Sequence, residues 1–147
     1  MASDLRITDA RCNAALDALF GSTANSGILR IYADAGTPDI PAGEPGATGH
    51  GTLLAELTMS ATAFQAAAAV SGQSYNRILA NAITADSDAN NSGDAVYFVL
   101  YDSAGTTALL QGTVGLSGAS PDMVIDNVTI AAGATRHDRQ VAAHDPA

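Results

Sequence analysis

Lysine and tryptophan are absent from this chain, cysteine occurs once, and six arginines stand against 15 carboxylate side chains. Each shortage excludes a class of function. With Cys12 alone there is no intrachain disulfide and no second thiolate to share a zinc ion. A formal charge of -9 and a pI near 4.3 oppose direct binding to nucleic acid, because phosphate neutralisation needs clustered Arg or Lys. Only 5% of the residues are aromatic against 47% apolar, so the core must be built from Ala, Val, Ile and Leu. Long apolar runs are missing too: Ala66 to Val70 is far too short to span a bilayer. Met1 to Ala10, with Asp4, Arg6 and Asp9, lacks the apolar stretch of a secretory signal, so synthesis in the cytoplasm is expected.

What is there reads as one domain of 147 residues, mainly β, with one N-terminal α-helix. Cys12, Ala15, Leu16, Leu19 and Phe20 share a helical face over residues 8–20, with Thr8 placed to cap it and Gly21 to end it in the left-handed region. On that face Cys12 is expected to be a small buried hydrophobe. A second helix over Ala61 to Val70 is suggested by alanine propensity, against its shortness and the following Ser71-Gly72. From Gly27 onward the pattern is of strands: Gly27 to Ala33, Gly51 to Met59, Ile78 to Ala85, Ala95 to Tyr101, Thr106 to Val114 and Met123 to Ile130. Asp102-Ser103-Ala104-Gly105 reads as a hairpin turn with positive φ at its glycine. Short strands without helical crossovers predict a β-sandwich or jelly roll between about 27 and 130. Between them Asp34 to His50, with Pro38, Pro41 and Pro45, reads as a surface arm, either gripping a neighbour or inserted as a flexible loop.

No catalytic, cofactor-binding or metal-binding residues are expected. His50, His137 and His144 lack the spacing of a zinc pair, and Gly112, Gly115 and Gly118 come without the lysine of a phosphate loop. Glu56 and Asp126 are carboxylates that nothing in the sequence pairs, and both are expected to face water on strands. Asp86 to Asp94 alternates oxygen ligands like part of a calcium loop, yet Asn91 and Tyr97 stand where an EF-hand needs glycine and glutamate. A polar turn is the simpler reading. The sequons at Asn90 and Asn127 are read as accidental in the absence of a signal.

The opening Ser3 to Phe20, followed by Gly27-Ile28-Leu29-Arg30-Ile31-Tyr32, resembles a group of small virion proteins of tailed bacteriophages. The likeness continues through Leu53-Leu54-Ala55-Glu56-Leu57, Ala82-Ile83-Thr84-Ala85-Asp86 and Gly112-Thr113-Val114-Gly115, covering most of the chain up to Thr135. It implies a non-enzymatic structural component, first of all a capsid decoration or cement protein on the virion surface, with the major capsid protein as partner. Lattice geometry adds the expectation of a homotrimer. Residues 136–147 depart from the group's apolar terminal strand. One permitted codon choice for Arg136 to Pro146, read one base later, encodes Val-Thr-Ile-Asp-Lys-Trp-Gln-Leu-Thr-Ile-Pro, a strand-like run, which makes a frame slip the hypothesis for this polar tail. Resequencing that returns the same frame excludes a recording error.

Two other functions compete. A head-spike, fibre-base or tail module binding a host glycan would need aromatic platforms, for which Tyr32, Tyr75, Tyr97 and Tyr101 are the tyrosines at hand. A cell-wall hydrolase would need a convergent acid, base or nucleophile, and no such set is visible.

Overall fold

The computed structural model describes residues 8–34, 36, 41, 44–45 and 51–133. Several sequence readings lie outside these residues: most of the 34–50 arm, His50, His137, His144 and the polar tail. The chain is mainly β with one N-terminal helix. In order it forms α1 (Asp9–Phe20), a 3-10 turn (Ser22–Ala24), β1 (Ile28–Tyr32), β2 (Leu53–Met59), β3 (Ala68–Ala69), β4 (Asn76–Arg77), β5 (Ile83–Thr84), β6 (Gly93–Asp94), β7 (Tyr97–Tyr101), β8 (Ala108–Gly115), β9 (Met123–Val124) and β10 (Thr129–Ile130).

Six strands form one sheet in the order β5-β2-β1-β7-β8-β9, antiparallel except for the β8–β9 pair. Among the described residues the sheets are of unequal size, with β10-β6 and β3-β4 as two-stranded ribbons beside the large one. The small size of the ribbons has its cause in breaks of the longer runs. Asn127 takes the Thr129 amide on its side chain, an Asx turn that divides the run Met123 to Ile130 into β9 and β10. The Ile78 to Ala85 run is reduced to β5 and an isolated bridge between Phe64 and Ala80.

Both faces of the central strands are buried. Leu29 and Ile31 of β1, Ala55, Leu57 and Met59 of β2, and Phe98 and Leu100 of β7 belong to the main core. The opposite face holds Tyr32, Tyr97, Val99 and Tyr101, with Leu53 packed against them. Between Ile31 and Tyr32 the register with β2 slips, so Tyr32 meets Leu53 while Ile31 meets Ala55. The extra residue, Leu54, is fully buried in the main core, which breaks the plain alternation expected for this strand.

The Asp102 turn forms as read: Gly105 has φ 68 and its amide bonds to the Asp102 carbonyl. The Asp102 carboxylate accepts from the Thr106 and Thr107 amides, which holds it below the usual carboxylate range.

The helix is where the sequence reading and the structure part. It exists over Asp9–Phe20, but no residue on it is buried. Cys12, Leu16 and Phe20 are half-buried, whereas Ala15 is exposed and Leu19 is 66% exposed. Cys12 is therefore not a core residue. The helix packs on the small β3-β4 ribbon rather than on the large sheet, so its apolar face has little to bury against. Gly21 has φ -66, not a left-handed value; it is needed because a Cβ there would lie 2.3 Å from the Asp17 carbonyl oxygen. The second predicted helix, Ala61 to Val70, is absent. Side-chain and backbone bonds from outside hold it extended, with the Ala63 amide on Asn25 and the Gln65 amide on Leu79, and such tertiary partners override alanine's propensity.

Candidate functional site

Asp86, Asn90 and Asn91, in the loop that alternates oxygen ligands, are spent on the chain's own backbone. Asp86 accepts from the Glu56 amide at 2.9 Å with one oxygen and from the Asp88 amide at 2.9 Å with the other. Asn90 donates its amide to the Leu54 carbonyl, and the Asn91 side chain donates to that of Leu53. The loop that resembled a calcium site thus lies along the outer side of β2 and satisfies its free amides and carbonyls. An unpaired strand edge is a template for unwanted pairing, and this loop covers it. Asp94 receives the Thr129 hydroxyl, tying β6 to β10. No group of three or more His, Cys, Asp or Glu converges as a metal site among the described residues.

Glu56 does not simply face water as expected. Opposite it in register stands Arg30, whose Nε donates to the Glu56 carboxylate at 2.8 Å, and the guanidinium lies 4.7 Å from the centre of the Tyr101 ring. Burial that leaves Arg30 only 25% exposed is offset by the pair, which raises the guanidinium pKa further. Asp126, by contrast, is exposed as expected, but between β9 and β10 rather than on a strand.

The tyrosines offered as a sugar platform are consumed by packing. Tyr32 and Tyr97 stack with ring centres 5.1 Å apart, and both are buried, as is Tyr101. Tyr97 accepts the Gly51 amide on its phenol oxygen. Only Tyr75 is exposed, and one ring does not make a platform. Part of the 34–50 arm closes over this same face: Pro41 is buried and its carbonyl accepts the Gln111 side-chain amide at 3.0 Å. At that point the arm grips its own sheet.

Burial pushes the Tyr32 phenol well above its ordinary value of 10.0, helped by the hydrogen bond with Tyr101, and burial raises Tyr97 against the opposing bond from Gly51. A folded-state pKa above the unfolded one means that the stabilisation is complete below pH 10 and is lost as pH rises beyond it. Denaturant titrations should show stability falling above that point by up to about 1.4 kcal/mol per pH unit for each tyrosine. In Tyr32→Phe the fall should be shallower; an unchanged slope would remove Tyr32 from the account.

What remains unspent is apolar surface. On the main-core face an open cleft of about 290 Å³ is bounded by Phe20 and Phe64 on one side, Leu29 and Phe98 on its floor, and Leu110 and Pro121 on the other. Phe20 and Phe64 meet at 5.1 Å between ring centres, so the end of α1 forms one wall. Gly112 keeps the floor low: a Cβ there would lie 2.8 Å from the Phe98 ring and 2.9 Å from the Asp122 Cβ.

Beside the cleft runs β8. Its outer side carries β9 only at Val114 and Gly115, and Asp122 takes the Thr113 amide at 2.8 Å. From Ala108 to Gly112 no strand lies against it among the described residues. Because Val114 donates to Val96 while Thr113 donates outward to Asp122, alternation turns the Gln111 amide and carbonyl outward as well. Nothing charged lies between Ala108 and Gly115. The sequence reading missed both cleft and edge; the uncharged strand was the available signal. Comparison of the chain with family models, curated proteins and solved structures gives no match.

Proposed function

We propose that this protein is a structural component of a tailed-phage virion, a capsid decoration or cement protein that binds the major capsid protein as a homotrimer and stabilises the shell. Its mechanism is adhesive. Apolar and hydrogen-bonding surface buried across neighbouring capsid subunits links them, and a ligand that binds the assembled state stabilises it by mass action. One observation carries this reading: Asp86, Asp94, Asp102 and Asp122 each hold the chain's own backbone or hydroxyl groups, while among the described residues an apolar cleft and a neutral sheet edge stay open. The likeness in Ser3 to Phe20 and the later segments supports the same reading.

The test is to mix the purified protein with capsids assembled from the major capsid protein of the same genome. Stoichiometric binding and a higher temperature of capsid disruption are expected. Failure to bind, or absence of the protein from purified heads, would overturn the proposal.

A further inference from the structure

Resting on that adhesive reading, we infer that the outer side of β8 is a strand-addition site, at which an extended segment of the capsid protein pairs with the Ala108 to Gly112 edge and sets an apolar side chain into the adjoining cleft.

Two features that could be unrelated occur at one place. Leu110, Gln111 and Asp122 line the cleft, and these same residues define the open stretch of edge and its end. An isolated apolar cleft would suit a small molecule, and a bare edge would suit any strand. Together they require an occupant that presents main-chain donors and acceptors in extended form and an apolar side chain to the main-core face. Only an extended polypeptide does both.

The two edges of the sheet are treated differently, which is the second argument. Along β2 the Asp86 to Asn91 loop satisfies the free backbone groups, and β5 pairs Thr58 and Met59. Along β8 the usual protections against pairing, a charge or a proline within the strand, are both missing from Ala-Leu-Leu-Gln-Gly-Thr-Val-Gly.

Charge also indicates the partner. Asp122, exposed at the cleft's end, uses one carboxylate oxygen on Thr113. A segment carrying Lys or Arg close to its apolar anchor would complement that carboxylate and the acidic chain around it, whereas a second copy of this chain brings further negative charge.

Hydrogen exchange of the Gln111 amide reads the pairing directly. In the free protein it should exchange quickly, and on capsids at least about tenfold more slowly, with neighbouring loop amides such as Ser103 unchanged. Gln111→Pro deletes the outward donor at a position where an edge strand tolerates proline. It should weaken capsid binding about tenfold, the worth of one well-placed hydrogen bond. Should that variant misfold, the exchange measurement on the unmodified protein still decides. Binding to capsids with an unaltered Gln111 amide overturns strand addition while leaving the decoration role intact. A Gln111 amide already protected in the free protein overturns it too, assigning the edge to a second copy if light scattering gives a dimer and to the chain's own 34–50 segment if it gives a monomer. No binding to capsids overturns both.

Discussion

Replacing Gly27 by alanine is expected to destabilise the protein by about 3 kcal/mol or more, the upper end of overpacking costs in cores. A Cβ at this position would stand 2.5 Å from the Tyr101 carbonyl oxygen and 2.8 Å from that of Ala24. Both are main-chain atoms, so no side chain can swing aside. Gly27 also joins three elements: its amide bonds to Ala24, its carbonyl takes the Met59 amide, and β1 follows it at the centre of the sheet. Moving the backbone to make room would disturb the β1–β7 pairing that begins at Ile28 and Tyr101. Gly118→Ala is the comparison. That glycine has φ 94 and open space around its Cβ position, so its replacement meets conformational strain alone and should cost about 1–2 kcal/mol. Equal midpoints in urea for the two variants would contradict the steric account.

Leu57→Ala should cost about 3 kcal/mol, within the range for a buried leucine, whereas Leu19→Ala should change stability by less than about 0.5 kcal/mol. Leu57 is 1% exposed and pairs in register with Leu29, which is equally buried, at the middle of the main core. Truncation there removes contacts on all sides. Leu19 is 66% exposed on a helix that buries no residue. From sequence the two leucines look alike, each on the apolar side of a regular pattern. A loss for Leu19→Ala as large as for Leu57→Ala, measured on the isolated protein by chemical denaturation, would mean that α1 packs more deeply than its exposure indicates.

The contrast between these leucines shows where sequence patterns carry information. Periodicity reports that a segment has an apolar side; it does not report how much partner surface is available. For β1, β2 and β7 the surrounding strands supply that surface on both faces. For α1 the partner is the two-stranded β3-β4 ribbon, and Ala15 and Leu19 stay in solvent. The site residues divide in the same way. Asp86, Glu56 and the tyrosines drew notice because their types carry chemistry, yet their neighbours turn them to structural use: Asp86 caps the β2 edge, Glu56 pairs with Arg30, and Tyr32 and Tyr97 stack in the core. The cleft and the β8 edge are assembled from Phe20, Leu110, Gln111 and Asp122, residues that no local motif links.

By itself the sequence determined the mainly β composition, the N-terminal helix, the positions of the long strands and the Asp102 to Gly105 turn. Those features follow from interactions within a few residues, whether side-chain alternation, helical spacing or a glycine at positive φ. Tertiary structure alone decided the strand order, the bulge that buries Leu54, the shallow seating of α1, and which sheet edge is covered and which carries no further strand among the described residues. Such outcomes depend on contacts between segments far apart in the chain, as when Asp86 reaches Glu56 or Gln111 reaches Pro41. Sequence spacing does not encode which distant backbone will arrive to satisfy a free amide or fill a groove.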